Sequence, residues 1–162
     1  MIAHCRVDSR VVHGQTTTRV MKEYPVDAVI VVDDEIASDP FMQTVYASAL
    51  GATRLFAFSS EKALRKLPEA AASKKSYLVI FKTPATVRAL VQQGLKLDCV
   101  LNIGPQPNCD GATLVTKMLY LTSEQAADLD YLEAQGINMI VNPAFTTPTL
   151  GWAEAKRKLE AK

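Results

Sequence analysis

Tyr77-Leu78-Val79-Ile80-Phe81-Lys82-Thr83-Pro84 sets a strand directly against a helix. Its run of successive apolar residues describes a strand covered on both faces, as in a parallel sheet. Thr83 then supplies a helix N-cap, and Pro84 suits the first helical position. Val87, Leu90 and Val91 follow at helical spacing, and Gly94 marks the stop. The alternation continues along the chain. Strands are expected at Ile2–Val7, Ala28–Val32, Arg54–Phe58, Tyr77–Phe81, Cys99–Ile103, Met118–Leu121 and Ile137–Val141. Helices are expected at Gly14–Tyr24, Asp39–Leu50, Ser60–Ala71, Pro84–Gln93, Ser123–Gln135 and Leu150–Ala161. Such alternation implies right-handed βαβ crossovers and an open, doubly wound, mainly parallel α/β sheet of about seven strands with helices on both faces. Apolar stripes with Val45, Ala49 and Leu50, and with Leu64 and Leu67, are assigned to the core.

Composition narrows the class. The 162 residues are 48% hydrophobic and 22% charged, the profile of one globular domain spanning residues 1–162. A net charge of +1 gives no general attraction for polyanions, so no nucleic-acid partner is expected. No apolar run approaches the ~20 residues that cross a bilayer. Met1-Ile2-Ala3-His4 has no basic n-region, so no secretory signal is expected and the chain is placed in the cytoplasm. Cys5, Cys99 and Cys109 are odd in number and widely spaced, which fits neither a disulfide framework nor a metal pair.

In a doubly wound sheet, ligands bind at the carboxyl ends of the strands. Three loops therefore matter: Asp8–Gly14, Asp33–Asp39 and Gly104–Gly111. The first is the richest, with Arg6-Val7-Asp8-Ser9-Arg10-Val11-Val12-His13-Gly14-Gln15 followed by Thr16-Thr17-Thr18. Free amides at a helix start, with hydroxyls beside them, make an anion site. Arg10 adds a fork-shaped, permanently charged donor for phosphoryl oxygens. A neutral imidazole such as His13 has a lone pair that can attack phosphorus. The residues alone leave open a packed or capping histidine at a loop–helix junction. His4 lies inside the first strand and is assigned a structural or surface place.

The Arg6–Gln15 stretch resembles the R-[IV]-D-x-R-[LIV]-[LIV]-H-G-Q signature of IIB components of mannose/fructose/sorbose-type phosphotransferase systems. Further similar segments are Val31-Val32-Asp33-Asp34-Glu35-Ile36-Ala37, Phe81-Lys82-Thr83-Pro84, Asn102-Ile103-Gly104 and Leu121-Thr122-Ser123-Glu124, so the resemblance covers nearly the whole chain. It is similar above all to members handling N-acetylgalactosamine or mannose. The resemblance implies a phosphoryl-carrier enzyme: a phosphorylated IIA protein hands its phosphoryl group to a histidine, and IIB passes it to a sugar imported by the membrane partners IIC and IID. The acceptor falls on His13, at Nδ1, with Arg10 and Asp8 as the motif's arginine and aspartate. Gly14, Gln15 and Thr16 form the phosphoryl-binding loop. Asp8 is expected to orient Arg10 or the His13 ring. No cofactor and no metal are implied. Transient association with the inner membrane face through IIC and IID is expected, and a homodimer is compatible with the sequence. Pro105 replaces a glycine common in the family, and Pro107 stiffens the same loop further.

Other readings are weaker. Asp33-Asp34-Glu35 is similar to the acidic pair of a receiver domain, but it follows the second strand, and Arg54–Phe58 and Tyr77–Phe81 end in Ser59 and Lys82 rather than aspartate. The three acidic residues are then a cluster at a helix start. Cys5 is not followed by the Gly/Ser-rich loop of cysteine-type IIB proteins. No G-x-G-x-x-G or G-x-x-x-x-G-K-[ST] pattern is present. The alternative in another class is a sugar-sensing or regulatory module that keeps the fold without transferring phosphate. Retention of both His13 and Arg10 argues against it.

Overall fold

The apolar strands assemble around β1, which runs down the middle of the sheet. The structure, a computed structural model, describes residues 1–145 and 148–161. The strands are β1 (Ile2–Val7), β2 (Ala28–Val32), β3 (Arg54–Phe58), β4 (Tyr77–Phe81), β5 (Leu101–Ile103), β6 (Thr113–Thr116), β7 (Leu119–Leu121), β8 (Met139–Val141) and β9 (Leu150–Gly151). A π-helical turn at Thr16–Val20 leads into α1 (Met21–Glu23); then come α2 (Asp34–Ser38), α3 (Pro40–Leu50), α4 (Ser60–Ala72), α5 (Pro84–Gln92), α6 (Ser123–Ala134) and α7 (Trp152–Glu160). The main sheet has the order β3-β2-β4-β1-β5-β8-β9. All its pairs are parallel except β8 with β9. The expected doubly wound architecture is therefore present.

Alternate residues of the central strands feed two cores. Ile30, Val32, Val79 and Phe81 pack in one cluster with Leu67, Leu90, Leu129 and Trp152. Val29, Val31, Leu78 and Ile80 pack in the other with Val11, Val20, Ile36 and Leu50. This two-sided burial is why β2 and β4 read as unbroken apolar runs.

Several boundaries differ from the sequence reading. The Met118–Leu121 strand is not in the main sheet: Met118 has φ 68° and turns the chain, and β7 pairs antiparallel with β6 in a separate hairpin. The seventh strand is instead β9, two residues that the sequence reading placed in the last helix; that helix starts at Trp152. β5 begins at Leu101 rather than Cys99, and β8 at Met139 rather than Ile137. The acidic cluster expected at a helix start opens a short helix of its own, α2, ahead of α3; Asp33 caps it by accepting from the Ile36 amide at 2.9 Å, and Asp39 caps α3 through Phe41 and Met42. Val45, 43% exposed, and Ala49 face outward because Leu50 and Tyr46 set the buried face of α3. Trp152 and Ala155 pack back on the sheet, with the indole N–H donating to Asp130 at 2.9 Å. Among the described residues no helix is long and apolar enough to cross a membrane.

The order places a switch at β1. The chain winds outward through β2 and β3, returns to β4 beside β1, then crosses to β5 on the other side. The carboxyl ends of β1, β4 and β5 therefore meet around one crevice, where such sheets hold ligands.

Candidate active site

The loop leaving β1 is tied to both neighbouring strands. Asp8 N–H donates to the Phe81 carbonyl at 2.9 Å and Ser9 N–H to the Pro105 carbonyl at 3.0 Å. The chain then turns sharply at Val11, a fully buried β-branched residue with φ 59°. This conformation costs on the order of 1–3 kcal/mol and persists only where surroundings enforce it. Thr16 does much of the enforcing: its hydroxyl donates to the Val11 carbonyl at 3.2 Å and accepts the His13 amide at 3.3 Å. Thr16 is 1% exposed, so that hydroxyl shapes the loop from within. The result sets His13 at the mouth of the first helix, its side chain 14% exposed.

Asp8 organises the polar side chains. Its Oδ2 lies 2.8 Å from His13 Nε2 and 3.0 Å from Arg6 Nε, and its Oδ1 accepts the Arg10 backbone N–H at 3.0 Å. Burial pushes the Asp8 carboxyl up, but the His13 hydrogen bond and the Arg6 charge outweigh it and hold the group below its ordinary range. An ionised carboxylate can only accept, so His13 Nε2 must carry the proton in that bond. In the neutral ring the lone pair then sits on Nδ1, which has no partner among the described residues. Asp8 thus touches both residues, His13 through its ring and Arg10 through its backbone N–H, while the Arg10 guanidinium turns to Gln15.

Arg6, whose place in the motif does not by itself reveal a role, lies at the centre of this polar group. It has no solvent exposure. Its Nη2 donates to the Pro143 carbonyl at 2.6 Å, its Nη1 to the Asn142 carbonyl at 3.3 Å, and the guanidinium lies 4.9 Å from the Phe145 ring centre. Gly104 passes so close that a Cβ there would lie 2.5 Å from the Val7 carbonyl oxygen and 2.7 Å from Arg6 Cζ. The local signal was available: a charge inside the central strand of a covered sheet needs a partner.

Arg10 lies on the exposed lip, with Nη2 donating to Gln15 Oε1 at 3.2 Å. Gly14 is exposed, and its carbonyl accepts from the Thr17 and Thr18 hydroxyls at 3.1 and 2.6 Å. No side chain caps the helix start. Arg10 and Gln15 are thus joined across the loop that carries His13. Beside Arg10 is a shallow cavity of about 210 Å³, lined in part by Ser9, Pro105, Pro107, Met118 and Tyr120.

The other two loops are structural in what they touch. Asp33 caps α2, Asp34 accepts from the Ser60 amide and hydroxyl at 2.7 and 2.9 Å, and Glu35 pairs with Lys82 at 3.1 Å. Gln106 is 2% exposed and donates to the Lys82 and Pro105 carbonyls, which pins the first half of the Gly104–Gly111 loop. Asn108 and Asp110, farther along it, face solvent. His4 is buried and stacked on Tyr24 at 4.1 Å between ring centres. Among the described residues no three His, Cys, Asp or Glu side chains group to hold a metal ion.

Known proteins resemble the chain over this whole frame. A family model described as "PTS system sorbose subfamily IIB component" matches residues 2–152. The N-acetylgalactosamine-specific phosphotransferase enzyme IIB component 1 of Escherichia coli (strain K12) is 30% identical over 139 residues, 84% of this chain and 86% of that protein. The PTS system mannose-specific EIIAB component of Escherichia coli (strain K12) is 28% identical over 161 residues, 99% of this chain; the match spans 50% of that longer protein. The crystal structure of the IIBSor domain of the sorbose permease from Klebsiella pneumoniae superposes with a TM-score of 0.86 at 23% identity, covering 98% of this chain and 97% of that one, a likeness of fold.

Proposed function

This chain belongs to the sorbose subfamily of phosphotransferase-system IIB components, phosphoryl carriers in sugar transport, and from that membership we propose that His13 is its carrier residue. The observation that carries the assignment is the 2.8 Å contact between His13 Nε2 and Asp8 Oδ2, which leaves Nδ1 as the nitrogen with a lone pair.

The donor is a IIA protein phosphorylated on its own histidine. The Nδ1 lone pair attacks phosphorus in line, the donor's P–N bond breaks as the new P–Nδ1 bond forms, and the ring keeps its Nε2 proton toward Asp8. Arg10 and the amides of Gly14 and Gln15 receive the phosphoryl oxygens, adding positive potential where charge passes. Thr16 holds the loop that presents the ring. The phosphoryl group then leaves Nδ1 for a sugar delivered by IIC and IID, so this chain works at the inner face of the membrane. The EIIAB relative supports a IIA partner. The family match favours carriage over the sensing module.

Incubation with a phosphorylated IIA protein tests the assignment. We expect an acid-labile phosphoryl mass on the peptide holding His13 and none in His13→Ala. Undiminished uptake by His13→Ala sinks it.

A further inference from the structure

Resting on the reading of His13 as carrier, we propose that Arg6 is a positioning residue for the transfer: by holding Asp8 charged and aimed, it decides that His13 bears its proton on Nε2 and offers Nδ1 to phosphorus.

The chemistry turns on one oxygen. Asp8 Oδ2 receives both Arg6 Nε and His13 Nε2, at 3.0 and 2.8 Å. Neither Arg6 nor Asp8 is exposed. A buried carboxyl without a cation takes up a proton. A protonated Asp8 would donate its O–H to Nε2, the ring proton would then sit on Nδ1, and the nucleophilic lone pair would be lost. Asp8 ionised but uncompensated would have the opposite fault. It would favour the imidazolium, in which both nitrogens carry protons and neither attacks. The Arg6 charge on the same oxygen opposes both outcomes. The charged groups bearing on Nε2 are Asp8 and, through it, Arg6; Arg10 turns its guanidinium to Gln15.

The guanidinium is built to stay in place. Two carbonyls from the segment after β8, at Asn142 and Pro143, each take one N–H from its two Nη groups. Phe145 covers one face, itself in a left-handed backbone conformation with φ 55°, and Gly104 leaves the space the group occupies. Lysine would keep the charge but cannot meet Asp8 and two carbonyls with a rigid fork.

Nitrogen-15 NMR of the full chain, labelled in histidine and unphosphorylated, reads the His13 tautomer directly. We expect the Nε2–H form in the neutral ring of the wild type. In Arg6→Gln we expect that form to give way to Nδ1–H or to a ring that stays protonated to higher pH. Phosphoryl uptake from phosphorylated IIA should slow about 10-fold or more, with KM for IIA unchanged. Arg6→Lys should recover part of both. A folded Arg6→Gln with the wild-type tautomer and rate overturns the proposal. So does an Nδ1–H tautomer in the wild type, a measurement that stands even if the glutamine variant does not fold. Because the tautomer is read without IIA, a wild-type chain that takes no phosphate at His13 is a separate result, against the carrier assignment itself.

Discussion

Arg6 Nε and Asp8 Oδ2 are 3.0 Å apart, and neither side chain reaches solvent. A buried pair of this kind contributes little net stability when intact, but breaking it strands a charge. Asp8→Asn leaves the Arg6 guanidinium without its counter-charge and His13 without the acceptor that fixes its proton. We expect unfolding free energy to fall by about 3–5 kcal/mol in urea titrations. Phosphoryl uptake should slow ~10²-fold or more, the scale on which losing a ring-orienting carboxylate acts. A variant that is destabilised but transfers at the normal rate would reduce Asp8 to a structural residue.

The strand–helix frame was legible because its signals are local. Tyr77–Phe81 followed by Thr83 and Pro84 is a strand, a cap and a helix start within eight residues, and all three stand in the structure. Asp8, Arg10 and His13 were legible for the same reason, lying within six residues of one another. What was not legible depends on distance along the chain. The carbonyls that hold Arg6 come from residues 136 and 137 positions away, and no spacing rule connects them. β9 is two residues long and exists only because β8 offers it an edge. The outward turn of Val45 follows from which side of α3 meets the sheet, a packing choice that an apolar stripe alone does not specify.

His4 gives the fold an acid sensitivity separate from the transfer chemistry. Burial, with a smaller push from Arg6, lowers its pKa from the ordinary 6.5 to about 4. Its Nε2 has no hydrogen-bond partner among the described residues. Between those two values the unfolded chain binds a proton that the folded chain refuses, so stability falls as pH drops through 6.5 and the effect levels off below about 4. The full span amounts to about 3 kcal/mol. Asp8, whose pKa is depressed, adds stability that is complete above its ordinary value and lost only as pH falls through its lower folded value, so the two windows are distinct. In His4→Phe, which keeps an aromatic ring against Tyr24, urea titrations at pH 7 and pH 4.5 should differ by about 2–3 kcal/mol less than in the wild type. An unchanged difference would place the acid sensitivity elsewhere.

Arg10 separates transfer from folding most cleanly, because its side chain is exposed and, among the described residues, makes one hydrogen bond, to Gln15 Oε1 at 3.2 Å. The part of Arg10 that the loop needs is its backbone N–H, which Asp8 Oδ1 accepts and which any residue but proline supplies. Arg10→Ala should therefore leave stability within about 0.5 kcal/mol of the wild type. Loss of a preorganised donor to a charged group in transit slows a reaction by ~10²–10³-fold, and we expect phosphoryl uptake by Arg10→Ala to fall in that range. Arg10→Lys keeps the charge without the fork, so its rate should lie between the two. Rapid-quench measurement of phosphoryl transfer from IIA, beside a thermal melt of each variant, reads both quantities. A wild-type rate in Arg10→Ala would mean that the helix amides at Gly14 and Gln15 hold the phosphoryl oxygens without help from this guanidinium.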